Sequence, residues 1–152
     1  MAAFLLDTET FFDVVDPGDD RHPVVRWVRG VPAGSLWLSV VTLGEFADAI
    51  ERLDGSDAEA QALREGYRAV LEREVPRRFW GRILPVDERI GLTWGRVRRL
   101  AVDDAPTERL LLCGTALAYN LVLATRRRAY HARLPGLAVF DPYAAAGAAV
   151  GA

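Results

Sequence analysis

The chain has 152 residues, is 51% hydrophobic and 26% charged, and carries a net charge of -2, which suits one ordinary soluble domain with a single sizeable core. Its single cysteine, Cys113, excludes an internal disulfide, and no run approaches the roughly 20 apolar residues of a membrane span. No basic region precedes the first apolar stretch, as a secretory signal requires, so a cytoplasmic protein is expected. All 19 basic residues are arginine, and they are unevenly placed: residues 1–60 hold twelve acids and four arginines, residues 61–152 nine acids and fifteen arginines. GC-rich coding is the plainer reason for the missing lysine. Even so, an acidic front half beside an arginine-rich back half is one way to handle a phosphodiester.

In chain order, Ala3-Phe4-Leu5-Leu6 runs straight into Asp7 without Gly or Pro. Such a run reads as a buried strand, and the carboxyl end of a parallel strand is where α/β sheets bind ligands. Thr8 to Val15 follows as a helix with acid in its first turn, and Asp16 to Asp20 as a loop. Val24 to Val28 suits a short helix ending near Gly30. Leu36 to Val41 reads as the second strand, with Thr42 as a helix N-cap and Glu45 three residues on in capping-box spacing. Glu45 therefore has a structural reading beside a chemical one: two carboxylates at two strand ends, Asp7 and Glu45, could share a hard divalent cation.

Residues 57–79 repeat apolar side chains every three or four positions and predict the longest helix, capped by Ser56. Arg82 to Val86 is a short third strand. Asp87 reads as an N-cap for a helix whose inner face is Ile90, Trp94, Val97 and Ala101; that spacing makes Trp94 core. Thr107 is expected to cap a helix through Ala118, with Cys113 a buried, inert thiol on it. Leu121 to Ala124 and Leu137 to Phe140 complete a mostly parallel sheet of four to five strands flanked by helices. Arg126, Arg127 and Arg128, with Arg133, form an arginine-rich edge on Asp7's side of the sheet. They are candidates to bind RNA phosphates, or they are an ordinary solvated loop. The Ala/Gly/Val tail from Ala144 to Ala152 is expected to fray.

The ordered set Leu5-Leu6-Asp7-Thr8, Ser39 to Glu45, Gly81 to Asp87 with Trp94-Gly95, Thr115-Ala116-Leu117-Ala118, Leu123 to Arg126 and Leu134 to Leu137 resembles the PIN-domain family, in particular the VapC and FitB type of bacterial toxin–antitoxin ribonuclease. The resemblance implies a three-layer α/β fold over residues 1–143, with residues 144–152 as a flexible tail. It also implies Mg²⁺- or Mn²⁺-dependent cleavage of RNA, homodimers and a small antitoxin partner. Asp7 and Glu45 match the family's first two acids, as catalytic and metal-binding residues. The third acid's position is Arg109, and the fourth falls at Arg127 or Tyr130, so both later acids are replaced. Two readings stay open: substitute ligands, Glu108, Glu9 or Asp104, restore the metal site, or Arg109 sits where the metal belongs and the protein binds a partner or RNA without cleaving it.

Overall fold

The computed structural model describes residues 1–101, 104–127 and 133–144. Five short strands run β1 (Phe4–Leu6), β2 (Leu36–Ser39), β3 (Ile83–Leu84), β4 (Val122–Ala124) and β5 (Val139–Phe140). They pair in parallel in the order β3-β2-β1-β4-β5, with β1 central. All five expected strands are present.

Between them run α1 (Thr8–Val15), α2 (Pro23–Gly30), α3 (Val40–Arg52), α4 (Ala58–Ala69), a π-helical turn (Val70–Glu74), α5 (Val75–Arg78), α6 (Glu88–Leu100) and α7 (Thr107–Ala118). The alternation of side chains along each strand builds two cores. Leu5 and Leu123 point to one face, against Val97, Leu112, Cys113 and Ala116 of α6 and α7. Leu6, Leu36, Leu38 and Ala124 point to the other, against Phe11, Trp27, Phe46, Ile50 and Phe79. The result is three layers, with α6 and α7 on one side and the earlier helices on the other.

Several element boundaries differ from expectation. Strand β2 ends at Ser39, whose hydroxyl accepts from the Val41 amide at 3.1 Å and caps α3. Val40 and Val41 are helical despite their β-branching, and Thr42 lies inside the first turn. Glu45 is thus not a capping-box partner; it sits in the second turn of α3. The cap before α4 is Asp57 rather than Ser56, and α7 opens at Thr107 after Pro106, with no side-chain cap. The long helix over 57–79 is real but contains the π-helical turn. Asp87 does cap α6, accepting from the Ile90 amide at 2.9 Å. Residues 145–152 of the expected tail lie outside the described residues, as do Arg128 and Tyr130. Among the described residues no helix is long and apolar enough to cross a membrane.

Candidate functional site

Asp7 follows β1 directly, and its amide donates to the Ala124 carbonyl at 3.1 Å, extending the β1–β4 pairing by one residue. The side chain is 8% exposed. Its Oδ1 accepts from the Thr10 amide at 2.7 Å, so Asp7 is the N-cap of α1. Next in the chain, Thr8 donates its hydroxyl to Glu45 Oε2 and lies 3.4 Å from the Thr42 hydroxyl. The ends of β1 and β2 thus bring Asp7 and Glu45 to one place, with Thr8 as the link between α1 and α3.

A cleft of about 380 Å³ opens here, at the carboxyl edge of the sheet. It is lined by Asp7, Thr8, Glu9, Glu45, Arg109 and Arg127, with Phe12, Pro106, Leu112 and Leu123 as its apolar walls. Glu108 is exposed and is not among the lining residues. Asp104 is likewise exposed and outside it. Glu9 faces two arginines, Arg126 at 3.3 Å and Arg127 at 3.6 Å. Arg126 also pairs with Asp13 at 3.5 Å and lies 3.9 Å above the Tyr143 ring, a cation–π contact. The Tyr143 hydroxyl in turn donates to Asp13. Burial first, and that bond second, raise its pKa, so it remains a neutral phenol. Arg126 is therefore committed to two acids and a ring. Arg133 is exposed.

The charges on the cleft reach the core. Cys113, one helical turn after Arg109 on α7, is fully buried, and burial pushes its thiol up to about 12. Arg109 pulls that value down while Asp7 pushes it up, so the cation on α7 and the acid after β1 bear on the same buried atom.

A divalent ion needs several oxygen donors free to turn toward it. Asp7 is engaged in capping, Glu45 with a hydroxyl and Glu9 with two guanidinium groups, and two arginines line the same walls. Among the described residues no group of three or more His, Cys, Asp or Glu side chains is placed to hold a metal ion. As placed, each of these carboxylates already has a partner within the protein. The sequence reading singled out Asp7, Glu9, Glu45, Arg109 and Arg127. It missed the Thr8 link, although Thr8 lies in the quoted motif, and it missed Asp13 and Tyr143, 130 residues apart in the chain, for which no local signal exists.

A parallel sheet in this order, with an acidic cleft beyond its central strand, defines a PIN-like α/β domain. The solved structures agree. FitAcB from Neisseria gonorrhoeae superposes with a TM-score of 0.77 at 25% identity, over 92% of this chain and 98% of the matched one. DNA-bound VapBC from Salmonella typhimurium gives 0.67 at 22% identity, over 93% and 99%. VapBC-5 from Mycobacterium tuberculosis, of the VapBC family of toxin–antitoxin systems, gives 0.61 at 25%, over 92% and 97%. No family model matches the chain, and no curated protein does. In fold, the chain is similar to the PIN-domain toxins of these FitAB and VapBC complexes.

Proposed function

We propose that the protein is the toxin-type member of a pair with a small antitoxin protein, and that it acts on RNA by binding rather than by metal-dependent cleavage. The observation that carries the second half is the presence of Arg109 and Arg127 in the cleft that holds Asp7, Glu9 and Glu45. Three acids and two guanidinium groups leave little net charge to attract a divalent ion. The arginines instead favour phosphate, which guanidinium meets in a two-pronged geometry. The exposed Arg133 and, beyond its pairing with Glu9, the half-exposed Arg127 are the described residues offered to RNA; Arg128 adjoins them in sequence. The pairing with an antitoxin is supported by the neighbours, which include members of the VapBC family of toxin–antitoxin systems.

Self-association is part of the same reading. On α6, Glu88, Leu92, Arg96 and Leu100 recur at four-residue steps and so share a stripe, with Leu92 66% and Leu100 53% exposed. Two copies packed antiparallel about Leu92 set Glu88 of one against Arg96 of the other, twice, around an apolar centre. This is the self-complementary pattern of a two-fold dimer.

The competing reading is a metal-dependent endoribonuclease, favoured by the shared cleft of Asp7 and Glu45. Gel-shift and cleavage assays on one labelled RNA in millimolar Mg²⁺ or Mn²⁺ separate the two. Salt-sensitive binding without cleavage is expected. Cleavage that disappears in Glu45→Gln would overturn the binding reading. A small open reading frame beside the gene, co-expressed with it, is expected to give a stable complex; a gene standing alone in an unrelated operon would remove the antitoxin.

A further inference from the structure

We propose that the Arg109 guanidinium is a built-in cation among the carboxylates of Asp7, Glu9 and Glu45, and that its charge, not merely the lack of a third acid, keeps divalent metal out. The inference rests on the non-cleaving reading above and assigns its cause to one side chain. The orientation of α7 is the first support. Arg109, Cys113 and Ala116 follow one another at four- and three-residue steps and share a face, and Cys113 and Ala116 are fully buried. That face therefore turns inward, and Arg109 with it, into the cleft wall. Glu108, one residue earlier and about 100° around the helix, is exposed.

The helix thus offers the cation to the cleft and the acid to solvent. At a helix N-terminus the dipole favours the opposite choice, so something in the cleft must hold the cation there. Three carboxylates around one small cleft supply it, because each attracts a positive charge placed among them. Arg127 pairs with Glu9 at 3.6 Å, and Arg109 lines the same cleft as Asp7 and Glu45.

The test uses the full chain and Mn²⁺ alone as probe, in calorimetry and thermal unfolding, on native protein, Arg109→Ala, Arg109→Gln and Arg109→Asp. Native protein is expected to show no measurable Mn²⁺ binding and no Mn²⁺-dependent change in Tm. Removing the cation, in Arg109→Ala or in Arg109→Gln should the alanine variant not fold, should give measurable binding and an Mn²⁺-dependent rise in Tm. Arg109→Asp should bind at least about tenfold tighter still. Binding by Arg109→Asp but by neither neutral variant would mean that the missing acid alone is responsible, and would overturn the proposal. Tight native binding abolished by Glu108→Gln would also overturn it. Failure here is distinct from failure of the functional reading, since a native protein that binds Mn²⁺ and still leaves RNA intact sinks only this inference.

Discussion

Two hollows among the described residues contrast, and the larger of the pair has the plainer chemistry. A groove of about 820 Å³ runs along α6, walled by Leu92, Val97, Leu100, Leu117 and Pro135 with Arg89 and Arg96 beside it. The cleft at the strand ends is less than half that volume, about 380 Å³, yet it gathers three carboxylates, two guanidinium groups and a hydroxyl from four separate chain segments. The groove lies along α6, between it and residues of α7 and Pro135. The cleft exists because parallel strands deliver the residues that follow them to one edge. The two hollows thus differ in make-up: mostly aliphatic walls in the groove, converging charge in the cleft.

The contrast predicts different failures. The groove side depends on α6 and α7 lying close, and Gly114 is where they touch. A Cβ there would stand 3.2 Å from the Trp94 backbone nitrogen and 3.3 Å from its Cα, atoms that cannot move aside without shifting the helix. Gly114→Val should therefore cost about 3 kcal/mol through overpacking. It should lower Tm by roughly 6–12 °C for a domain of this size, in scanning calorimetry. An unchanged Tm would mean that the two helices are not locked at this point. One step smaller, Leu92→Glu on the outer stripe should barely change the stability of the single chain, within about 0.5 kcal/mol. It should nevertheless convert a dimer of twice the 16.8 kDa chain mass to monomer in light scattering. A native protein that scatters as a monomer at micromolar concentration would remove the dimer from the argument.

The two hollows also divide what the sequence could and could not reveal. All five strands, the Asp87 cap and the inward faces of α6 and α7 follow from local runs and three- or four-residue spacing, so they were legible. The meeting of Asp7 and Glu45 in one cleft was legible from the strand order, although only Asp7 directly follows its strand and Glu45 lies in the second turn of α3. The β2–α3 junction was not. Val40 and Val41 look like strand, but Ser39 caps the helix at once and the chain turns without a loop. The reading of Glu45 as the capping partner of Thr42 failed with that boundary. The π-helical turn within 57–79 leaves the apolar pattern intact and so leaves no signal. The commitment of Arg126 to Glu9, Asp13 and Tyr143 comes from segments far apart in the chain. An arginine cluster in sequence therefore looked more available to RNA than it is.

Asp7 has two roles in the cleft, and substitutions separate them. Alanine removes both the cap on α1 and the charge; asparagine keeps the cap, since it serves at that position as well as aspartate does. Asp7→Ala should cost about 1 kcal/mol in urea unfolding, and Asp7→Asn only a few tenths. If asparagine proves as damaging as alanine, the charge rather than the cap is what α1 needs, and the balance between Asp7 and the cleft arginines is tighter than the structure suggests.

The smallest effect concerns a tie behind the cleft. The Tyr67 hydroxyl on α4 donates to Asp16 at the end of α1, the helix that Asp7 begins. That hydrogen bond first, then burial and the Asp16 charge, raise the Tyr67 pKa from 10.0 to about 12. The folded state therefore holds the phenolic proton more tightly than the unfolded chain does. The stabilisation is fully present below pH 10, where both states are protonated, and is lost as pH rises from 10 toward 12, where the unfolded chain ionises first. Two pKa units correspond to about 2.7 kcal/mol, but Tyr67 is only partly buried, and solvent screening reduces this to about 0.5–1 kcal/mol. Tyr119 and Tyr143 have raised values too and titrate in the alkaline range, so the informative quantity is the difference between native protein and Tyr67→Phe. That difference, from urea unfolding, should be about 0.5–1 kcal/mol in favour of native protein at pH 8 and should vanish by pH 12. A difference that stays constant across this range would show that the phenylalanine changes packing alone and that the bond to Asp16 contributes nothing.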